Sequence, residues 1–385
     1  MNNFTYFYGL STATYLKDIP YLLQRHAPNT KFHFLISAVY FSGATDFASV
    51  FNQSKESIAT YFMADSGGYS QRIGTAYVND IEPTDLAQMY FQHKFKYQIT
   101  PDCPFFNENI NKGIQQWTFE NSLRSTSIKL EKFYEKYYYL QDTYIFDVLH
   151  GPLIHMNKFS LYYIYRWHSI VAEVPKKQST GIALPCFLNN KSQMVYHALL
   201  PWSLGYKNCH LLGKGTIHDL PVLIYIAEHA YEIFSCDAKT LTIEAIKNLQ
   251  ILLTEDENLP HIHQLSKEKL KKIYQKDCFC PICAHFEEKW QTTIHALAKA
   301  NSDNIHLDGN SRLYQWIPTH NVYLMQEHIN KLKDLVKDRE SYIHFIEEKY
   351  TKERRSEILN AIQLVDVLLE DGPSKYKTNI KLVNS

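Results

Sequence analysis

Asn208-Cys209-His210-Leu211-Leu212-Gly213 is a short apolar run closed by a glycine, and Glu232-Ile233-Phe234-Ser235-Cys236-Asp237 is a second one. Between them Ile217–His229 carries apolar residues at helical spacing, and Thr216-Ile217-His218-Asp219 reads as a helix start. Strand, helix, strand is the unit of a parallel sheet, and several of these runs lack alternation, as strands buried on both faces should. The same unit repeats upstream. Its apolar runs are Thr5–Leu10, Phe32–Phe41, Thr60–Asp65, Lys96–Asp102, Tyr144–His150 and Thr180–Pro185, with helical stretches such as Glu82–Lys94 and Gln116–Tyr138 between them. About eight such units in one continuous region predict an α/β fold, a (β/α)8 TIM barrel. An open doubly wound sheet is the alternative, but no glycine-rich dinucleotide turn follows the first run.

Polar and glycine residues gather where these runs end: Asp65-Ser66-Gly67-Gly68, Pro101-Asp102-Cys103, His150-Gly151, Gly213-Lys214-Gly215 and Ser235-Cys236-Asp237. All strands of a parallel barrel end at one face, where the chemistry sits. Turn formation explains any one of these clusters. Five on successive units are better explained as the rim of a site.

The chain has 385 residues, 45% hydrophobic and 21% charged, enough for one large domain or two ordinary ones with a sizeable core. Lys+Arg and Asp+Glu both number 40, so contact with a polyanion must come from a local basic patch. Met1-Asn2-Asn3-Phe4 has no basic leader region, no apolar stretch approaches a membrane span, and four of the cysteines are scattered singly. A cytoplasmic location without membrane contact is expected.

Beyond residue 240 the composition changes. Leu241–Thr254 reads as helical, Asp256–His263 as a loop, Lys267–Lys276 as a basic helix, Glu287–Ala300 as a helix and Asn301–Asn310 as a loop. Leu313–Pro318 reads as extended, and long charged helices over Asn321–Lys349 and Glu353–Leu369 precede a loose tail after Gly372. The expected division is a catalytic barrel over 1–255, a metal subdomain over 256–335 and C-terminal helices over 336–385.

Cys278-Phe279-Cys280-Pro281-Ile282-Cys283 places three thiols within six residues. Zinc takes four ligands in a tetrahedron and favours thiolate and imidazole, so a fourth ligand must come from elsewhere. His285, His295, His306 and His320 are the downstream candidates, and His320 is favoured because it is expected to open a long helix. Four protein ligands leave no open position, so the zinc is structural. A redox pair would leave one thiol over.

Several of these segments resemble one family, the tRNA-guanine transglycosylases, over residues 60 to about 335. Asp65-Ser66-Gly67-Gly68-Tyr69 is similar to its Asp-Ser-Gly-Gly-Phe, and Leu211-Leu212-Gly213-Lys214-Gly215-Thr216 to its Leu-Met-Gly-Val-Gly-Thr. Cys278, Cys280, Cys283 and His320-Asn321 match its zinc ligands and their His-Asn step, and Trp117–Lys132 resembles the helix after its base-recognition strand. The resemblance implies a barrel with a late zinc subdomain. It also implies exchange of guanine in nucleic acid for a 7-deazaguanine through a covalent aspartyl-glycosyl intermediate, the work of a pentosyltransferase.

The departures are specific. Tyr69-Ser70 replaces Phe-Gln, His150-Gly151 stands where the family has Gln-Gly, and Ile182-Ala183-Leu184-Pro185 lacks the family's glycine pair. Phe234-Ser235-Cys236-Asp237 carries its aspartate two places beyond the usual Phe-Asp position. A pocket rebuilt in this way resembles the branch that inserts a preQ0-like base into DNA, and tRNA is the alternative polymer. The implied roles are Asp237 as nucleophile and Asp65 as second carboxylate. Ser66, Gly67, Asp102, His150, Gly151, Gly213 and Gly215 fall to substrate contact. A homodimer or an accessory subunit is compatible with the same pattern. An inert nucleic-acid-binding paralogue is the reading from another class, since the shifted aspartate is how one would look.

Overall fold

In the computed structural model, eight parallel strands close into a barrel in chain order, β8 pairing back onto β1. They are β1 Phe4–Leu10, β2 His33–Ser37, β3 Phe62–Asp65, β4 Tyr97–Ile99, β5 Tyr144–Val148, β6 Gly181–Pro185, β7 Asn208–Leu212 and β8 Ile233–Ala238. The intervening helices are α1 Ala13–His26, α2 Val39–Gly43, α3 Pro83–His93, α4 Gln115–Lys136, α5 Leu161–Glu173, α6 Lys191–Ser203 and α7 Leu220–Ala230. The structure describes residues 3–10, 13–43, 48–53, 61–67, 81–103, 115–138, 142–150, 161–175, 181–186, 188, 190–238, 241–242, 245, 250–254, 259–264, 280–284 and 312–383. The expected (β/α)8 barrel is the architecture observed.

The strands divide their side chains between two cores. Phe7, Leu35, Met63, Ile99, Phe146 and Ala183 fill the barrel interior. Their strand neighbours, such as Tyr6, Tyr8, Phe34 and Ile182, pack outward beneath the helices. Side-by-side residues of a parallel pair share a face. Phe7 lies alongside Asp237, and Ser37 alongside Asp65, so both carboxylates belong to the inward set at the strands' C-terminal ends. Ser235, two residues before Asp237, belongs to the same set one layer deeper.

Past β8 the chain departs from the sequence expectation. Gln250–Thr254 (β9) and Pro260–Gln264 (β10) form an antiparallel pair, where a helix end and a loop were expected. The apolar run Ile251-Leu252-Leu253 has no period of its own; it pairs with β10 along one edge, and the Leu252 N–H donates to Asn321 Oδ1 at 2.7 Å. Leu313–Pro318 is helical rather than extended, lying in the first turns of α8, Arg312–Leu335. His320 therefore sits inside a helix it was expected to open. Two further helices follow, α9 Arg339–Lys349 and α10 Lys352–Val383. The expected loose tail is corrected as well. The backbone breaks helix geometry at Gly372 (φ 75°) and then resumes it, because Tyr376 is fully buried and donates to the Tyr196 carbonyl on α6. The basic helix, the Glu287–Ala300 helix and the Asn301–Asn310 loop lie outside the described residues.

Helix α8 fills the barrel's outer ring between α7 and α1. Gln315 reaches Asp18 of α1 at 2.8 Å, and Lys333 donates to the Phe4 carbonyl at the start of β1 at 2.8 Å. Helix α10 forms a second layer over α6 and α7. Among the described residues, no helix is long and apolar enough to cross a membrane.

Candidate active site at the barrel mouth and a candidate metal centre

Asp237 ends the inward row of β8. Its Oδ1 accepts the Gly213 N–H at 2.8 Å, and His210 Nε2 lies 3.3 Å from the same oxygen. The Gly213 amide can aim this way because its residue adopts φ +71°, which glycine takes without strain. His210 Nδ1 is 2.9 Å from Ser235 Oγ, so Ser235, His210 and Asp237 form a chain of polar contacts inside the barrel wall. Cys236, between the two β8 polar residues, faces the opposite core. Burial pushes its thiol well above the ordinary value and the Asp237 carboxylate adds to this, so it is a poor competitor as nucleophile.

A second cluster joins the ends of β3, β4 and β5. His150 Nε2 lies 2.5 Å from Asp102 Oδ2, and Ser66 Oγ donates to Asp102 Oδ1 at 3.3 Å. Helix α4 fixes the loop that carries Asp102: the Cys103 N–H donates to Thr126 Oγ1 at 2.9 Å, and Lys129 reaches the Asp102 carbonyl. The Trp167 ring backs His150 at 5.0 Å. Gly67 closes the β3 end at φ +83°, where a Cβ would stand 2.3 Å from Val39 Cγ1, so only glycine fits. Three residues expected to contact substrate, Ser66, Asp102 and His150, are thus one hydrogen-bonded group. In an eight-stranded ring β4 lies across the mouth from β8, so this group and Asp237 occupy opposite sides of the opening.

Gly215 has a different neighbourhood. A Cβ there would meet the Tyr6 ring at 2.6 Å and Cys236 Sγ at 3.1 Å, and its carbonyl accepts the Tyr6 hydroxyl at 3.0 Å. Close packing against the outer face of the barrel explains this glycine without a ligand.

Behind the β7 loop, Asp219 is buried between two lysines. Lys191 and Lys214 both pair with it, Lys214 at 3.1 Å, and Thr216 Oγ1 donates to it at 2.7 Å. Burial pushes the Asp219 carboxyl up, but the Lys191 and Lys214 charges and the hydrogen bonds outweigh it and hold the group below its ordinary value. A depressed carboxyl contributes stability that is complete above its unfolded value and lost as the pH falls through the folded one. Asp219→Asn is expected to cost about 3–5 kcal/mol at pH 7, because it leaves buried lysines uncompensated. Its deficit against the wild type should begin to shrink below about pH 4, where the carboxyl of the unfolded chain protonates, and should go on shrinking as the pH falls toward the lower folded value. Urea melts of both proteins at pH 7 and pH 3 measure this.

The metal candidate is elsewhere. The ligand atoms of Cys280, Cys283 and His320 lie within 4.8 Å of one another, all three residues are buried, and together they could hold a metal ion. Both sulfurs are 3.2 Å from His320 Nδ1. His320 Nε2 donates to the Leu252 carbonyl at 2.7 Å, which leaves Nδ1 unprotonated and turned to the thiols. Pro281 starts the helical turn over 281–284 that brings Cys280 and Cys283 to one side. Asn321, next to the histidine, donates to the Leu241 and Gln250 carbonyls at 3.3 and 3.1 Å and so ties the same helix to the β9 region.

Cys278, Gly68, Tyr69, Gly151 and the lysines of 267–276 lie outside the described residues. The sequence reading missed His210, Lys191 and the pairing of Lys214 with Asp219. His210 had a usable signal: it stands two residues before Leu212 in an apolar run, and a polar residue on the inward phase of a buried strand needs a partner. Lys191 and Asp219 had none, since they meet only through the fold. Comparison of the chain with protein-family models and with curated proteins gives no match.

Proposed function

We propose that this protein is a nucleic-acid guanine transglycosylase, acting on DNA in preference to tRNA, with Asp237 as nucleophile and a structural zinc. The observation that carries the reading is the Asp237 carboxylate at the C-terminal end of β8. It is held by the Gly213 amide and stands across the barrel mouth from the Ser66–Asp102–His150 group.

In this scheme Asp102 and His150 read the edge of a guanine that has left the base stack. Asp237 attacks the anomeric carbon C1′, the C1′–N9 bond breaks, and its electron pair departs on the base. Asp65 supplies the proton that neutralises the leaving guanine. In the second half the incoming 7-deazaguanine gives its N9 proton to Asp65, attacks C1′ and displaces Asp237. Splitting one substitution into two is what a carboxylate nucleophile offers.

Zinc is the metal that suits a thiol-rich set. Tetrahedral bonds of about 2.3 Å to sulfur and about 2.0–2.1 Å to nitrogen put these ligand atoms about 3.5 Å apart. The observed 3.2 Å sulfur–nitrogen separations are close to that. Cys278 supplies the fourth ligand in this reading, and the site then has no open position for water.

Incubation of the purified protein with radiolabelled guanine and plasmid DNA, or with bulk tRNA, tests the reading. Label entering DNA alone supports it, label entering tRNA alone moves the same chemistry to the other polymer, and label in neither favours the inert paralogue.

A further inference from the structure

Asp237 has two carboxylate oxygens, and their surroundings differ. Oδ1 takes the Gly213 amide and faces His210 Nε2. Among the described residues, no donor reaches Oδ2. We propose that His210 is the positioning residue of Asp237, pinning Oδ1 from inside the barrel wall and reserving Oδ2 for attack on C1′. The identity of the attacked atom rests on the transglycosylase reading. The pinning of the carboxylate does not.

The chemistry of the ring supports this. A nitrogen facing a carboxylate oxygen must carry a proton to be useful there, and in the neutral ring the other nitrogen is then an acceptor. Ser235 can supply that complement: its Oγ lies 2.9 Å from Nδ1, and its hydroxyl can donate to a bare Nδ1. The ring is completely buried, with Phe7 and Phe146 at centroid distances of 6.0 and 6.2 Å, so it has little room to turn. At 3.3 Å Nε2 is within reach of Oδ1, but the two do not form a hydrogen bond in this state. Catalytic contacts of this kind are often misaligned before substrate binds and tighten afterwards.

The choice of donor is also chemically apt. Attack converts a carboxylate into a neutral ester, so a cation on Asp237 would stabilise the reactant more than the product of this step. A backbone amide such as that of Gly213 orients the carboxylate without that penalty, and an imidazole N–H does so in its neutral form. The ammonium group of Lys214, next in the chain to Gly213, is directed to Asp219 at 3.1 Å and to the Leu188 carbonyl at 2.7 Å. The buried Lys191–Asp219–Lys214 cluster thus keeps positive charge committed away from the nucleophile.

Two substitutions and one spectrum test the proposal. His210→Phe keeps an aromatic ring among Phe7 and Phe146 but removes both nitrogens. It is expected to lower kcat by about 10–100-fold, as removal of the hydrogen-bond partner of a metal ligand does, with KM for the nucleic acid changed less than about twofold. His210→Gln puts an amide N–H near the place of Nε2 and should recover most of the loss. Wild-type kcat in a folded His210→Phe protein overturns the proposal. So does a Gln variant no better than Phe, or a loss confined to KM. If His210→Phe does not fold, or if the wild type exchanges no base in either polymer, the test passes to ¹⁵N spectra of histidine-labelled wild-type protein. A proton on His210 Nε2 with Nδ1 bare supports the contact with Asp237 whatever the reaction, and the reverse tautomer overturns it. Absence of exchange with the expected tautomer would sink the transglycosylase reading and leave the pinning of Asp237 standing.

Discussion

Asp237→Asn is expected to abolish base exchange, lowering it by about four orders of magnitude or more, and to leave the fold intact. An amide is a poor nucleophile, yet its carbonyl oxygen can still accept the Gly213 N–H that now bonds Oδ1 at 2.8 Å. Metal content and thermal melting should therefore match the wild type. Three companions give the result its meaning. No protein–nucleic acid adduct should survive a denaturing gel from Asp237→Asn. Asp65→Asn should slow turnover while still permitting the adduct, because proton transfer is not the bond-forming role. Ser235→Ala should also retain it, at reduced rate, since Ser235 acts on the nucleophile only through His210. An adduct recovered from Asp237→Asn would refute the assignment, and Asp65 or Asp102 would become the nucleophile candidates.

The second large effect concerns the metal. Protein purified without chelators is expected to contain about one zinc per chain. Cys280→Ser should lose it and unfold the region around β9 and β10, since a structural zinc contributes directly to folding. His320→Ala should do at least as much harm, because His320 also holds the Leu252 carbonyl at 2.7 Å. His285→Ala should leave the metal bound. Metal analysis and melting curves of the three variants check the ranking. Full retention of zinc in Cys280→Ser would remove that ligand from the site, and a protein with no metal at all would refute the centre.

The eight barrel strands were legible because each is a short apolar run bounded by turn or polar residues, and burial on both faces leaves little else such a run can be. Tyr97–Ile99 shows the limit: the run Lys96–Asp102 locates the strand, but barrel pairing keeps only three residues of it. The rim residues were legible for a related reason, since strand ends converge on one face whatever their sequence. The β9–β10 pair was not legible, because its short apolar run has no period of its own and Leu252 is held by Asn321 and His320, side chains about seventy residues away. Pro318 misled in the other direction. It reads as a helix breaker, yet α8 runs through it, with its neighbours Trp316, Ile317 and Thr319 buried against the rest of the protein. His210 was passed over because a histidine within an apolar run carries no local mark of its partners. Only the alignment of β7 with β8, where His210 lies alongside Ser235, supplies them.

The position of α8 has a consequence for how the protein is made. Among the described residues each barrel strand through β7 is followed by a helix before the next strand, but the ring position after β8 is taken by a helix that begins at Arg312, with the candidate metal ligands Cys280 and Cys283 on the intervening chain. During synthesis the seam between β8 and β1 is therefore expected to lack this helix until the C-terminal third has emerged. Closing so long a loop is entropically costly, and a metal joining Cys280 and Cys283 to His320 shortens what remains to be closed. Metal supply in the producing cell would then act as an assembly checkpoint. Chains made in its absence should carry a formed barrel with one open flank, vulnerable to proteolysis ahead of Arg312 and prone to aggregate through the exposed apolar seam.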